Sequence, residues 1–517
     1  DRRMPKRRPN ILLITTDQHR ADCYSFARRD IKTPHLDALA ARGTRFERCY
    51  CPGPLCQPAR ASILTGMLPL THGVRDNGID LPDDMIGRGF AQQLADQGYR
   101  TALMGKAHLS TQFTFEATGR PECRKTMHKF YDDWFGPYMG FDYLELFIDG
   151  PVKWPDWEPP EGLHFTKWLF ADGHGKKKHA LYHSGERPRS GAQQTHISDL
   201  PVACHTSSWL GDRATDFIAS HDNENDDPFM LWVSFPDPHH EFDAPDPYGR
   251  MYDPNQVDIP KHHDLDLSRR PWWHEAALTR TPKTTDEFRT VREKLSRQRR
   301  LTERQIRDIT ANYFGMISLV DHNVGRIMQA LTEKGIADDT IVVMTSDHGE
   351  FLGDHGLLFK GPMFYDSLIR VGLIAAGPGI DQGKVVNNVV STVDLAPTLV
   401  EIGGGTFDGY HGQSLMPALS GGDVAAMRNM AHVEWGLDAS RCGVDLDLRT
   451  VVTERYRYTV ELTSGDGELY DLKNDPYEMD NLYYDAASKA VREEMETVRA
   501  TRPDDIRAEP LPIVGMF

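Results

Sequence analysis

Long hydrophobic runs are missing from this sequence, and so is an excess of positive charge. No apolar stretch approaches the roughly 18 residues needed to cross a bilayer, which excludes a transmembrane helix. Lysine and arginine number 59 against 76 aspartates and glutamates, so the formal net charge is −17. That charge argues against non-specific binding to nucleic acid, whose phosphates repel an acidic protein. It still allows a small anionic substrate, because a local group of cationic side chains can bind one.

Cysteine is scarce as well, with seven residues in 517, an odd number spread along the chain. This distribution does not match the disulfide framework of a small secreted domain. The basic N-terminus leads directly into an apolar stretch at residues 9–14 that is too short for the hydrophobic region of a signal peptide. The sequence therefore predicts a cytoplasmic protein.

What is present is an ordinary globular composition, with 39% hydrophobic and 26% charged residues. Three apolar runs each end in polar residues, and they cover residues 10–15, 229–235 and 340–344. Asp17 follows the first run, His239 the second, and Asp347 with His348 the third. Ligands of parallel sheets bind beyond the carboxyl ends of the strands. We therefore expect these four side chains to share one cleft.

A long amphipathic helix is predicted after Thr302. Thr302 and Gln305 fit a capping box, apolar residues then recur at spacings of three and four from Ile306 to Leu331, and Gly335 closes the run. Near-continuous apolar strands alternating with helices predict an α/β fold. We expect a doubly wound, mostly parallel central sheet with helices on both faces.

Two regions depart from this pattern. Residues from about 110 to 205 are rich in aromatic residues, histidine, proline and glycine and have weak periodicity, which is typical of a functional insertion or a lid. Beyond about residue 425, two short strands flank a Ser-Gly-Asp-Gly turn and a polar helix follows. We therefore predict a catalytic α/β domain over residues 1–425. A smaller C-terminal α+β domain with a short antiparallel sheet is predicted over residues 426–517.

The segment from Cys56 to Gly66, C-Q-P-A-R-A-S-I-L-T-G, is the most informative part of the chain. Pro58 near its start and Gly66 at its end predict one short helix. Cys56 is then expected at the N-terminus of that helix, where free backbone N–H groups favour an anion. Arg60 is expected one turn further on. A nucleophile beside an anion site and a guanidinium suits transfer of a sulfuryl or phosphoryl group.

The pattern C-x-P-x-R-x-x-x-L-T-G resembles the signature of the formylglycine-dependent sulfatases, a branch of the alkaline phosphatase superfamily. The resemblance implies that a formylglycine-generating enzyme oxidises Cys56 after translation, and that the hydrated aldehyde is the nucleophile. The alternative is a disulfide or zinc site built from Cys49, Cys51 and Cys56, but that spacing fits no common zinc pattern.

The other segments of the family pattern follow in order along the chain. The resemblance implies that Asp17 is the first metal ligand and that Asp347 and His348 are the second pair. The implied metal site is Asp17, Cys56, Asp347 and His348. The Gly-Lys-Ala-His segment at residues 105–108 resembles the part of the family pattern that lines the nucleophile pocket. The Pro-His-His-Glu-Phe segment at residues 238–242 resembles the part whose histidine contacts the ester oxygen. The implied catalytic residues are Cys56, Arg60, Lys106, His108, His239 and Lys360.

Two residues depart from the commonest family pattern. Gln18 stands where many members have a second acidic residue, and His348 where many have asparagine. A site of carboxylates and one imidazole suits one divalent ion, either Ca²⁺ or Mn²⁺. These two choices resemble phosphonate monoester hydrolases and choline-sulfatase-like members, whereas Lys106 and His108 resemble the sulfatase branch.

The resemblance implies hydrolysis of an aryl or alkyl sulfate monoester, a small-molecule substrate, by a sulfuric ester hydrolase. Arg60, Lys106 and Lys360 are expected to hold the sulfate oxygens together with the metal. His239, alone or with Lys360, is expected to protonate the leaving group, and the resemblance implies that His108 acts as base. Two alternatives stay open. One is hydrolysis of phosphonate monoesters or phosphodiesters in the same site, and the other is a non-catalytic pseudo-sulfatase that binds sulfated ligands. Relatives often assemble into dimers or tetramers, so a homo-oligomer is expected.

Overall fold

The computed structural model describes residues 8–148, 158–297, 300–406 and 408–516. Its main sheet has eight strands in the order β10-β2-β9-β8-β1-β7-β3-β4, and β9 runs antiparallel to both of its neighbours. The strands are β1 (Asn10–Thr16), β2 (Gly43–Tyr50), β3 (Arg100–Gly105), β4 (Tyr143–Leu146), β7 (Phe229–Ser234), β8 (Thr340–Ser346), β9 (Arg370–Ala376) and β10 (Lys384–Ser391). A separate two-stranded sheet pairs β5 (Gly185–Glu186) with β6 (Ile197–Ser198). The prediction of a mostly parallel sheet is confirmed.

The three apolar runs of the sequence are the three adjacent parallel strands β8, β1 and β7. Alternate residues of β1 pack on opposite faces of the sheet: Ile11 and Leu13 in one hydrophobic cluster, Leu12 and Ile14 in another. All of β1 is buried, which explains its near-continuous apolar sequence. Because the three strands are parallel neighbours, their carboxyl ends meet at one edge.

Helices cover both faces of the main sheet. The helices of the described residues are α1 (Pro34–Ala41), α2 (Cys56–Thr65), α3 (Pro69–His72), α4 (Phe90–Asp96), α5 (Leu163–Phe170), α6 (Gly175–His183), α7 (Thr206–Ser220), α8 (Trp272–Thr279), α9 (Asp286–Val291), α10 (Glu303–Glu333), α11 (Asp366–Ile369), α12 (Leu395–Ile402), α13 (Met416–Leu419), α14 (Ala439–Cys442) and α15 (Lys489–Arg499). Helices α2, α4 and α12 pack on one face, and α1, α7 and α10 on the other. Helix α10 has the predicted capping box between Thr302 and Gln305.

The C-terminal part contains the predicted antiparallel sheet. Its four strands, in sequence order across the sheet, are β11 (Met430–Leu437), β12 (Leu446–Thr453), β13 (Tyr456–Glu461) and β14 (Gly467–Asp471). Met495 of α15 packs on one face of this sheet, and the other face packs against residues of the main body such as Phe364. The division into two domains at residue 425 stays a prediction.

The final residues return to the main body. Backbone N–H groups donate from Arg507 to the carbonyl of Leu70, from Val514 to Gly78, and from Met516 to Phe113. The predicted irregular region of residues 110–205 holds β4, which is an edge strand of the main sheet, as well as α5 and α6. Among the described residues, no helix is both long and apolar enough to cross a membrane.

Candidate active site

The carboxyl ends of β8, β1 and β7 bring the predicted polar side chains together. The backbone N–H of Asp17 donates to the carbonyl of Asp237 at 3.3 Å, and the N–H of Asp347 donates to the carbonyl of Thr16 at 3.2 Å. These bonds extend the strand pairing past the last strand residues. As a result, the loops that carry Asp17, Asp347 and His239 leave the sheet side by side.

Helix α2 brings Cys56 and Arg60 to the same edge. The helix begins at Cys56 and ends at Thr65, and Gly66 follows in a left-handed conformation with φ of 65°. Its N–H donates to the carbonyl of Ser62, so the glycine closes the helix as predicted. Every residue of α2 is buried, and the N-terminus of the helix lies beside the strand ends.

Four buried side chains converge there and form a candidate metal centre. One ligand atom from each lies within 4.8 Å of the others, and the four residues are Asp17, Cys56, Asp347 and His348. His348 Nε2 is 3.7 Å from Asp17 Oδ1 and 3.8 Å from Asp347 Oδ1. The thiol sulfur of Cys56 is 3.3 Å from the same nitrogen. The oxygen and nitrogen atoms face one another at more than hydrogen-bond length, an arrangement that a divalent cation fits.

Two cations hold the carboxylates of this cluster. Lys106 Nζ is 2.7 Å from Asp17 Oδ2, while Arg60 Nε is 3.0 Å from Asp347 Oδ2 and Arg60 Nη2 is 3.4 Å from Asp17 Oδ2. Arg60 also donates to the Lys106 carbonyl and to Ser234 Oγ, each at 2.7 Å. Burial alone raises the pKa of Asp17, but the Lys106 ammonium and the Arg60 guanidinium outweigh it and hold that pKa well below its usual range. The aspartate is therefore ionised.

Lys360 lies directly over the cysteine. Its Nζ is 3.0 Å from Cys56 Sγ, 3.2 Å from His239 Nε2 and 3.4 Å from His348 Nε2. Burial and Asp17 raise the pKa of the Cys56 thiol, but Lys360, Lys106 and His348 outweigh them and lower it. Position 56 therefore favours a negatively charged nucleophile.

The two predicted proton-transfer histidines are neutral. Burial, then His240 and Lys360, hold the pKa of His239 well below its usual range. Burial, Lys106 and Arg60 do the same for the pKa of His108. Within the part of the chain that the structure describes, neither ring nitrogen of His108 has a hydrogen-bond partner, although the side chain is buried. Since His108 lines the same cavity as Cys56, its nitrogens are available to a ligand there.

Sequence reasoning treated Gln18 only as a departure from the family pattern, whereas the structure gives it contacts. Its Oε1 accepts from Lys360 Nζ at 3.2 Å, and its Nε2 donates to Glu350, which is buried and whose pKa is raised by that burial. Gln18 thus links Lys360 to Glu350. Ser234 was also missed, although it ends a strand in the position where polar residues were expected.

A cavity of about 350 Å³ opens from Cys56. Lys106, His108, His239 and Lys360 line it at this end. The remaining wall is mainly apolar, from Phe113, Leu278, Leu295, Met363 and Trp435. The structure therefore brings all nine predicted catalytic and metal-binding residues to one buried centre with a largely apolar approach.

The family model described as Sulfatase matches residues 9–405 of this chain. A second model, described as N-sulphoglucosamine sulphohydrolase, C-terminal, matches residues 353–502. The chain is 29% identical to the multifunctional alkaline phosphatase superfamily protein PehA of Trinickia caryophylli, over 94% of this chain and 93% of that protein. It is 26% identical to an arylsulfatase of Clostridium perfringens, over 92% of this chain and 90% of that protein.

Among solved structures, the fold is similar to the phosphonate monoester hydrolase of Agrobacterium radiobacter. The TM-score is 0.77 and the sequence identity 28%, and the match covers 97% of each chain. The small C-terminal sheet and the main sheet both lie within that match.

Proposed function

The chain belongs to the sulfatase family and is a sulfuric ester hydrolase, and from that membership we propose that it hydrolyses aryl or alkyl sulfate monoesters. The nucleophile is made from Cys56, and one divalent cation assists it. The observation that carries the proposal is the convergence of Asp17, Cys56, Asp347 and His348 on one buried point. A sulfate group placed there meets positive charge from Arg60, Lys106 and Lys360, which opposes the charge that builds up in the transition state.

Conversion of Cys56 to formylglycine gives this position two hydroxyl groups in its hydrated form. One hydroxyl oxygen attacks sulfur as the ester oxygen leaves. Loss of the proton from the other hydroxyl then releases sulfate and restores the aldehyde. This step needs a base, and His108, a neutral imidazole without a hydrogen-bond partner among the described residues, is suited to it.

The ligand set supports a Ca²⁺ or Mn²⁺ ion held by Asp17, Asp347, His348 and the side chain at 56. Two carboxylates and one imidazole are donors that both ions accept. Held there, such an ion would lower the pKa of a hydroxyl at position 56 and would stabilise negative charge on the sulfate oxygens. Burial lowers the pKa of His348, but the Asp347 carboxylate outweighs this and leaves it raised, as expected for an imidazole facing anionic ligands.

Lys360 and His239 are placed for the leaving group. The ammonium of Lys360 donates toward His239 Nε2, and the low pKa of His239 keeps its ring neutral. His239 and Lys360 are therefore placed together to supply a proton to the departing oxygen. A phenol or alcohol leaves with that proton, and the C–O bond of the ester stays intact.

A second candidate is hydrolysis of phosphonate monoesters or phosphodiesters at the same centre. It is favoured by the likeness to the Agrobacterium phosphonate monoester hydrolase, and by Gln18 and His348, which resemble the residue choices of phosphonate monoester hydrolases. A pseudo-sulfatase is disfavoured because the full set of cations and metal ligands is present.

Maturation, assembly and location complete the proposal. Conversion of Cys56 needs a formylglycine-generating enzyme, and a homo-oligomer is expected from the family resemblance. We also propose a cytoplasmic location, which the seven unpaired cysteines support.

The test compares the wild type with Cys56→Ala and Cys56→Ser, each produced together with a formylglycine-generating enzyme. Para-nitrophenyl sulfate, a phenyl phosphonate monoester and a phosphodiester serve as substrates. We expect turnover of the sulfate by the wild type, an intact mass that shows conversion of the thiol to an aldehyde, and loss of turnover in both variants. Full activity in either variant contradicts the scheme, and a preference for phosphorus esters favours the second candidate.

A further inference from the structure

The cavity beyond Cys56 has a second group of cations. Arg292 and Arg441 both line it, and each comes from outside the strand ends that form the reacting centre. Arg292 opens a π-helical turn that follows α9, and Arg441 lies in α14 of the C-terminal part. The apolar wall of Phe113, Leu278 and Trp435 belongs to the same cavity.

Both guanidinium groups are held in place. Arg441 forms two bonds from Nε to the carboxylate of Asp76 at 2.8 and 2.9 Å, and its guanidinium carbon is 5.6 Å from the centre of the Trp435 ring. Arg292 is only 5% exposed, and its Nη2 donates to the carbonyl of Met516 at 3.3 Å. Fixed guanidinium groups bind an anion with little loss of side-chain entropy.

Among the described residues, three arginines line this cavity, Arg292, Arg297 and Arg441, against one lining carboxylate, Glu241. Asp76 is the carboxylate that pairs with Arg441, and it also partly compensates Arg292. Burial and the neighbouring Arg441 lower the pKa of Arg292 to about 9, because a buried guanidinium beside another cation is harder to keep charged. Groups of this kind often serve as binding sites.

The cationic wall adjoins the reacting centre. Asn77 follows Asp76 in sequence, and its Oδ1 accepts from the backbone N–H of Gln57 at 3.1 Å. Gln57 is the residue after Cys56 in α2. One short, buried connection therefore joins the nucleophile to the carboxylate that holds Arg441.

We propose that the preferred substrate is an aryl sulfate whose leaving group carries a second anion, a carboxylate, which Arg292 and Arg441 bind. The inference rests on the proposed function and names the substrate class of that same site. The sulfate lies at Cys56, the ring contacts the apolar wall, and the carboxylate accepts hydrogen bonds from the two guanidinium groups.

The binding test uses two ring compounds that differ only in charge, para-sulfooxyphenylacetate and para-sulfooxyphenylacetamide. Titration calorimetry on Cys56→Ala protein measures both without turnover. We expect the carboxylate to bind about tenfold more tightly, as one charge-assisted contact provides. When added to Cys56→Ala, Arg292→Met and Arg441→Met are each expected to bring the ratio of the two affinities toward one. The matched control Arg455→Met, which changes an exposed arginine, is expected to keep it.

Two variants keep the test informative if one of them fails to fold, and circular dichroism checks each. Equal affinity of the Cys56→Ala protein for the two compounds overturns the inference, as does a preference that survives both arginine substitutions. Turnover separates the two proposals. Wild-type protein that hydrolyses both sulfates with the same kcat/KM keeps the proposed function and rejects the carboxylate site. Protein that prefers the carboxylate in binding but hydrolyses neither sulfate rejects the proposed function and keeps the site.

Discussion

Arg60 and the proposed cation share the same two carboxylates, so removing Arg60 has opposite effects on stability and on ion binding. Arg60 is fully buried and pairs with Asp347 at 3.0 Å and with Asp17 at 3.4 Å. Arg60→Met leaves these carboxylates without that partner, which costs about 3–5 kcal/mol for a broken buried pair. A bound divalent ion compensates the same charge, so we expect the loss of stability to be smaller when the ion is present.

The size of the coupling follows from a thermodynamic cycle. If the ion offsets about 2 kcal/mol of the loss, linkage requires the variant to bind the ion roughly thirtyfold more tightly than the wild type. Sulfatase activity is expected to fall at the same time, because Arg60 no longer stabilises the transition state.

The assay is ion binding by titration calorimetry, together with thermal unfolding in chelator and in excess Ca²⁺ or Mn²⁺. Arg457→Met is the matched control, because Arg457 is also buried between two carboxylates, Glu468 and Glu478, in the C-terminal sheet. We expect it to lower the unfolding temperature equally with and without the ion. Unchanged or weaker ion binding by Arg60→Met, with equal destabilisation in both conditions, refutes the reasoning.

Three further predictions use other parts of the structure. Lys360→Met is expected to slow the hydrolysis of phenyl sulfate about 10²–10⁴-fold, and that of para-nitrophenyl sulfate less, because para-nitrophenolate is the better leaving group and needs less proton transfer. Equal slowing of both substrates in steady-state assays contradicts a role of Lys360 at the leaving group. Dialysis against a chelator is expected to abolish turnover and to lower the unfolding temperature, and addition of Ca²⁺ or Mn²⁺ is expected to restore both. Activity that persists in protein shown by elemental analysis to be metal-free argues against the ion. Burial raises the pKa of Glu478 to about 7 from 4.5, so the folded state binds this proton more tightly and its contribution to stability is lost as pH rises between those values. In urea unfolding, the wild type is therefore expected to lose on the order of 3 kcal/mol of unfolding free energy between pH 5 and 8 that Glu478→Gln does not lose; the same pH dependence in both proteins contradicts this.

The parts of the fold set by local pattern were predictable from the sequence. The strands that end near Asp17 and Asp347 could be predicted because a strand buried on both faces must be apolar throughout. The end of helix α2 could be predicted because its last turn is followed by a left-handed backbone conformation, which favours glycine, and Gly66 stands there. The order of the strands in the sheet could not be predicted, because a sequence does not show which distant segments pair. Nothing in the sequence of β9 indicates that it runs antiparallel to its neighbours.

The candidate site divides in the same way. Cys56, Lys106 and His239 were found because they stand in segments with a fixed order along the chain. Arg292 and Arg441 were not found, because a lone arginine in a polar segment looks like any solvated side chain. Only the folded chain brings them to one cavity with Cys56.

The return of the C-terminal residues to the main body has a consequence for how such an enzyme diversifies. The bond-breaking end of the cavity is built from strand ends that the whole sheet depends on, whereas Trp435, Arg441 and the carbonyl of Met516 come from the last hundred residues. Exchanging that C-terminal portion between relatives should therefore redirect which molecules are accepted while the cleavage chemistry is inherited intact.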